Sequence, residues 1–328
     1  MALEVRTGSG TGFELLLAAA AVADPDWRRV FTHGQAAYAA TRSTDPELPR
    51  TAGRFGRFGW INLAGPLASA TPPWTRHRLV RLVASTDCDE LKHVLVGGRR
   101  HQLHSRLDDD TVRAAVTGDR TAVRRLRTTL SETLLHVTPW LLRTDPAEVK
   151  HVCLQVLERL PALDARAPAT TAIDAALSEL GGPRLLERVA PGIHYGPDVL
   201  GRVTLVTSLR TAPILVSVDE VDQTVILHPP LTEAGTTDAA AQLRELGRAL
   251  GDDTRIRILQ ELRVADLTLA DLCSALDSPR TTLLHHLALL RSAGLIDLSV
   301  RSGEPNVYAL ESRGFETLAA AAQGFTTR

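Results

Sequence analysis

Lysine is almost absent from this sequence. Lys92 and Lys150 stand alone among 37 basic residues, and the rest are arginines. With heavy alanine use, that is the imprint of a GC-rich genome rather than of a chemical role. Cysteine is scarce too. Cys88, Cys153 and Cys273 lie far apart in sequence, which excludes a disulfide framework and a cysteine-only zinc site within this chain. A reduced, cytoplasmic setting is the expectation. Long apolar runs are missing. The longest near the start, Phe13 to Ala23, is about 11 residues, short of the ~18–20 that span a bilayer. It follows Glu4 and Arg6 and has no clear cleavage site, so it reads as a buried amphipathic helix rather than a signal peptide. No membrane partner is expected. A charge excess is also lacking: 37 basic residues face 38 acidic ones, a net charge of −1. Bulk charge therefore announces neither nucleic acid nor an acidic surface as a partner.

What is present is enough for a sizeable core. The chain has 328 residues, 44% hydrophobic and 23% charged, which is the globular range. At roughly 100–200 residues per domain, two or three domains are expected. Residues 1 to about 190 read as mostly helical, in pieces near Gly12–Ala23, Asp26–Arg42, Leu79–Val96, Asp108–Val116, Arg120–Leu142, Asp145–Leu160 and Ala165–Leu180. In one of these, Val149, Val152, Cys153, Val156, Leu157 and Leu160 share a face after the turn signal Asp145-Pro146. Gly53 to Trp60 interrupts the pattern and reads as a loop or extended segment. Near Gly192 the pattern changes. Val203–Thr207, Pro213–Val218 and Thr224–His228 are short and β-branched, and Asp219 to Gln223 reads as a hairpin turn. Pro229-Pro230 closes the segment, and Thr232–Asp238 reads as a linker. The expected division is thus an N-terminal domain over residues 1–232 and a C-terminal domain over 239–328.

The last ninety residues are more legible. Leu243, Leu246 and Leu250 form one helical stripe. A second helix follows Asp252-Asp253-Thr254 and buries Ile256, Leu259 and Leu262. A third begins at Thr268, whose hydroxyl can cap it while Asp271 sits in the favourable first turn. Ser278-Pro279 supplies a cap and a proline at the first position of a fourth helix. That helix runs through Leu283, Leu287 and Leu290 to Gly294, where glycine can take the left-handed closing conformation. Two short strands, Leu295–Val300 and Asn306–Leu310, are joined by Arg301-Ser-Gly-Glu-Pro305, and a helix over Ser312–Gly324 follows. This is the order of a winged helix-turn-helix. The expected fold class is α+β: a mostly helical N-terminal domain ending in a short β-sheet, then a C-terminal winged helix-turn-helix.

The wording of the segment adds to this. Leu250-Gly-Asp-Asp-Thr-Arg-Ile-Arg-Ile-Leu259 resembles the opening helix of the ArsR-type winged-helix regulators. Thr281 to Ile296 resembles that family's recognition helix, including His285-His286-Leu287 and the exit Ala293-Gly294-Leu295. Gly303 and Val307-Tyr308-Ala309-Leu310 resemble its wing. The resemblance spans about Leu243 to Phe325, a quarter of the chain. It implies a transcription regulator, expected as a repressor, acting on double-stranded DNA as a homodimer paired through the first and last helices of this domain.

The candidate DNA-contacting set is Ser278, Arg280, Thr281, Thr282, Leu284, His285 and His286, with Arg301 and Ser302 at the wing tip. Arginine can bridge two acceptors on guanine, threonine can meet a phosphate or a thymine methyl, and histidine can donate to phosphate. His286 has a second reading, packing against the hairpin. Leu284 departs from the family, which commonly has a small polar residue there. From Ala239 onward there are ten arginines against eleven acids, unusual for a DNA-binding domain. Between Ser278 and Leu310 the balance turns mildly positive, with three arginines, two acids and two histidines. The affinity expected is modest and strongly salt-dependent.

Metal sensing, well known in that family, is not expected. A tetrahedral site needs about four ligands. The helix before the recognition helix offers Cys273 alone, and the last helix has Glu311 and Glu316 but no histidine. His101-x-x-His104 lacks a third ligand in view. No cofactor and no catalytic residue are assigned.

The N-terminal domain is far larger than a linker. Either it senses a small-molecule effector or partner protein and shifts DNA binding, or it is an enzyme or protein-interaction domain carrying a regulatory winged helix. Nucleophile-elbow, phosphate-loop and zinc-protease motifs are missing. Gly53-x-x-Gly56-x-x-Gly59 has the wrong spacing for a dinucleotide site. The run Arg120, Arg124, Arg125, Arg127 reads as a solvated helix face, with anion or DNA-backbone binding as the alternative, and Trp60, Trp74 and Trp140 read as core, with ligand-pocket walls as the alternative. Pro191–Tyr195 and Val203–Ser208 resemble, more loosely, an N-terminal extension found ahead of some ArsR-type regulators, which implies no chemistry.

Overall fold

The computed structural model describes residues 3–31, 33–132, 137–161, 167–196, 201–212, 215–231, 239–301 and 304–326. A strand, β1 (Glu4–Ser9), leads into helices α1 (Thr11–Ala23), α2 (Pro25–Val30), α3 (Gly34–Thr44), α4 (Leu48–Gly53), α5 (Gly56–Ile61) and α6 (Ala64–Ser69). Then come α7 (Arg76–Ser85), α8 (Cys88–Leu95), α9 (His101–His104), α10 (Asp109–Val116), α11 (Arg120–Glu132), α12 (Pro139–Arg143), α13 (Pro146–Arg159) and α14 (Thr171–Val189). Four strands follow: β2 (Ile193–Tyr195), β3 (Arg202–Thr207), β4 (Val216–Asp219) and β5 (Thr224–His228). The remainder is α15 (Ala239–Leu250), α16 (Asp253–Leu262), β6 (Leu267–Thr268), α17 (Leu269–Leu276), α18 (Arg280–Ser292), β7 (Ile296–Val300), β8 (Val307–Leu310) and α19 (Arg313–Thr326).

The chain divides into two compact units. One comprises Ala2–Asp174 with Arg202–Pro230, the other Ala175–Gly201 with Leu231–Arg328. Residues Ala175–Gly201 differ from expectation: they belong with the C-terminal unit, because β2 pairs with β7 rather than with the N-terminal sheet. The linker expected over Thr232–Asp238 lies outside the described residues.

In the N-terminal unit the sheet runs β1-β3-β5-β4, with β1, β3 and β5 parallel and β4 antiparallel to β5. Every residue of β5 and all but Arg202 of β3 are buried. Continuous burial at both parities means both faces are covered, which is why these strands read as unbroken β-branched runs. β4 begins at Val216, later than the expected Pro213, and residues 213–214 lie outside the described residues. α1 is buried from Gly12 to Val22, so it is a core helix apolar nearly all round rather than an amphipathic one.

Other expected helices split where a polar cap intervenes. Asp87 caps α8 through the Asp89 and Glu90 backbone N–H groups, which separates it from α7. Gly53 to Trp60, expected as a loop, is largely helical across α4 and α5. Phe55 and Trp60 are fully buried there, and Trp60 Nε1 donates to Ala52 O at 3.1 Å. Burying two large rings outweighs the weak helix preference of the glycines between them.

In the C-terminal unit the sheet runs β2-β7-β8-β6, with β7 and β8 antiparallel and β2 parallel to β7. The helices α15 to α18 close over it through Leu246, Ile258, Leu262, Leu272, Leu283, Leu287 and Leu290. Thr268 and Asp271 form the expected capping box of α17.

Candidate nucleic-acid interface

α17 ends where Asp277 turns into the left-handed region, φ 47°. That turn points Ser278 back toward α17, where its hydroxyl donates to Leu276 O at 3.2 Å. The expected serine cap on the next helix is therefore not made. α18 starts at Arg280 with Pro279 at its N-cap, and no side chain caps it. An uncapped helix start presents backbone N–H groups and the positive end of the helix dipole, the arrangement that receives a phosphate. At the other end Gly294, φ 69°, closes the helix as its sequence position suggests.

Along α18 the two faces separate cleanly. Leu283, Leu287, Leu290 and Arg291 are buried, whereas Arg280 and Thr282 are exposed. Leu284 and His285 are half-buried at the margin. Thr281 lies in the first turn between Arg280 and Thr282. Arg280 also sits close enough to Cys273 of α17 for its charge to pull against the burial that raises the Cys273 thiol. Arg301 follows β7 with its side chain 68% exposed, 3.8 Å from Glu304. Ser302 and Gly303 lie outside the described residues.

His286 departs from the rest of the expected set. Its Nδ1 lies 3.3 Å from Arg255 Nη1 and 3.6 Å from Asp252 Oδ1, and its side chain is 12% exposed. Arginine only donates, so Nδ1 accepts and the ring is neutral. Burial lowers its pKa, Asp252 works the other way, and Arg255 lowers it further. His286 packs on the start of α16 rather than on the hairpin. For Asp252 burial alone would raise the carboxyl. The Arg255 backbone N–H and the Arg255 charge hold it below its ordinary value.

Arg255 is the residue the sequence reading passed over. It is buried, with Nε on Ala249 O at 2.5 Å and Nη2 on Arg248 O at 2.6 Å. One guanidinium thus caps the end of α15, sits at the start of α16 and meets His286 on α18. The signal was its spacing: Arg255 shares one helical face with Ile258, Leu259 and Leu262, where a buried cation needs carbonyl partners.

Several chemistry-bearing residues of the N-terminal unit are tied into the fold. Lys92 Nζ donates to Val116 O and Thr144 O, both at 2.8 Å, at the ends of α10 and α12. Arg100 donates from Nε to Asn62 Oδ1 at 2.8 Å and from Nη1 to Ser217 O at 3.3 Å. Glu220 sits 3.4 Å from Arg99, and its carboxyl is raised by burial. Trp60 and Trp74 are buried core, and Trp140 meets Phe55 edge to face, with ring centroids 5.3 Å apart. His104 lies 3.7 Å from Asp109, which also meets His93 at 2.8 Å and Arg113 at 2.6 Å, while His101 is exposed. Among the described residues no group of three or more His, Cys, Asp or Glu side chains is placed to hold a metal ion. No described helix is long and apolar enough to cross a membrane.

Comparison with known proteins agrees with this geometry. Residues 250–299 match the family described as a helix-turn-helix domain. The chain is also similar to the HTH-type transcriptional regulator NmtR of Mycobacterium tuberculosis, 35% identical over 74 residues. That similarity covers 23% of this chain and 61% of the length of the relative. The C-terminal unit thus carries a helix-turn-helix domain.

Proposed function

We propose that this chain is a DNA-binding transcriptional regulator that reads double-stranded DNA with the outer face of α18. The observation that carries the reading is the division of that helix. Its leucine face is sealed into the domain, while Arg280 and Thr282 stand exposed at an uncapped N-terminus beside a two-stranded wing. Arg280, Thr281, Thr282 and His285 form the proposed base- and phosphate-contacting set, and Arg301 with Ser302 forms the wing contact. Leu284, at the margin, meets a thymine methyl. Ser278 acts through the shape of the turn. His286 packs and reads nothing.

The finer reading is a repressor that acts as a homodimer through α15 and α19, with the N-terminal unit sensing a small-molecule effector or partner. The resemblance to ArsR-type regulators supports it. So does Phe315 on α19, 38% exposed where a buried partner face is expected. Fluorescence anisotropy with a promoter fragment at rising salt tests the DNA reading. Specific binding whose log affinity falls linearly with log salt is expected. No specific complex at low salt overturns it.

A further inference from the structure

The sheet of the C-terminal unit has a fourth strand that lies outside the helix-turn-helix match. In the β2–β7 pairing Ile193 sits opposite Leu298, His194 opposite Ser299 and Tyr195 opposite Val300. Backbone bonds bracket the pairing. Leu298 N donates to Gly192 O at 2.7 Å, and Gly196 N donates to Val300 O at 2.8 Å.

The same segment is fastened to the recognition helix. Arg291, on the sealed face of α18, is only 7% exposed, and its Nη1 donates to Pro191 O at 2.7 Å. A guanidinium buried this deeply is costly unless its donors are met, so the carbonyl of Pro191 is a needed partner. Beside it, His194 Nε2 lies 2.7 Å from Asp297 Oδ2, and Arg313 Nη2 reaches Asp297 Oδ1 at 3.0 Å. One carboxylate on β7 thereby serves both β2 and the first turn of α19. Gly192 fits the turn tightly. Its φ is +71°, and a Cβ there would lie 2.8 Å from Asp297 Oδ1 and 3.1 Å from Arg291 Cγ. Any side chain at 192 strikes both halves of the fastening.

Position in the chain gives this a direction. In sequence β2 is followed by β3, an inner strand of the N-terminal sheet. Arg291 and Arg280 are 11 residues apart on one helix, roughly 16 Å of stiff rod. Turning the Arg291 end therefore swings the exposed end that carries Arg280 and Thr282.

We propose that Pro191–Gly196 positions the recognition helix for DNA, with Arg291 as the positioning residue. The proposal rests on the DNA reading above. A strand that merely widened the sheet would bond to β7 alone, whereas this one also holds the helix that does the reading.

The test uses the full chain with Gly192→Val, Arg291→Met and Arg291→Lys, none of which alters the outer face of α18. The expected result for the first two is specific DNA affinity weakened about tenfold. Hydrogen exchange should rise in β7 and α18 and stay as in the wild type over residues 3–174. Arg291→Lys, which keeps one donor for Pro191, should recover most of the affinity. Wild-type binding with unchanged affinity in Gly192→Val and Arg291→Met overturns the proposal. Exchange raised evenly across 239–326 also overturns it, since that marks general unfolding. If the wild type forms no specific complex, the DNA reading fails by itself. The exchange result then decides the fastening: unaltered α18 protection in Gly192→Val overturns it.

Discussion

The chain builds two four-stranded sheets and uses them in opposite ways. In the N-terminal sheet the inner strands β3 and β5 are buried at nearly every residue, on both faces. In the C-terminal sheet β7 and β8 are mostly half-buried. Charges divide by burial as well, although Arg255 and Arg291 of the second unit are as buried as those of the first. Lys92, Arg100 and Glu220 are sunk into the first unit and held by carbonyls, amides and one another. Arg280 and Arg301 in the second stand out in solvent. Buried charge of the first kind is scaffold, because its hydrogen-bonding capacity is already taken by the protein. Exposed charge on a rigid helix is available to a partner, and phosphate and guanine are the partners that a guanidinium fork fits best.

The sharpest way to break that contrast is to remove a buried cation. Arg100→Met leaves Asn62 Oδ1 and the Ser217 carbonyl without their donor and Glu220 with less compensation. A loss of about 3–5 kcal/mol is expected in urea unfolding. A loss below about 1 kcal/mol would show that the cluster is not scaffold.

A second test uses pH. Burial pushes His228 from its ordinary 6.5 down to about 4. Its Nδ1 donates to Pro229 O at 2.7 Å, and Nε2 lies 3.4 Å from the Thr207 hydroxyl. The unfolded chain takes up the proton first. The stability from neutral His228 is therefore complete above pH 6.5 and lost as pH falls toward about 4. The full shift corresponds to about 3 kcal/mol. His228→Asn should flatten the acid side of the stability profile across that window, and parallel profiles for the two proteins would refute this.

On the exposed side the effects are smaller and appear in binding rather than folding. Arg280→Ala should cost about 1–3 kcal/mol of specific DNA affinity in anisotropy titrations, with the melting temperature unchanged. A lowered melting temperature with unchanged affinity would place Arg280 in the scaffold class. Arg301→Ala should have the least effect. Its ion pair with Glu304 is exposed, so stability should move by less than about 0.5 kcal/mol. The slope of log affinity against log salt should fall by about one, and an unaltered slope would remove the wing from the interface.

The same contrast explains what could be read ahead of the structure. The helix-turn-helix was legible because its signals are local. Thr268 and Asp271 form a capping box three residues apart, Gly294 closes a helix, and a turn joins β7 to β8. The strands β1 and β2 were invisible because their partners are remote. β1 pairs with β3 nearly two hundred residues on, and β2 pairs with β7 about a hundred residues on. Neither Glu4–Ser9 nor Ile193–Tyr195 has enough length or alternation to declare itself. On α18, Arg280 and Thr282 are exposed, as their place in its first turn suggests. His286 could not be placed that way. Its partners Asp252 and Arg255 come from another helix, and nothing in the spacing of α18 names them.

The central claim is that the outer face of α18 and the wing meet DNA. Hydrogen exchange of the full chain with and without a bound promoter fragment tests it most directly. Protection on adding DNA is expected across 278–286 and around Arg301. New protection confined to the N-terminal unit, with 278–286 unaltered, would contradict the account.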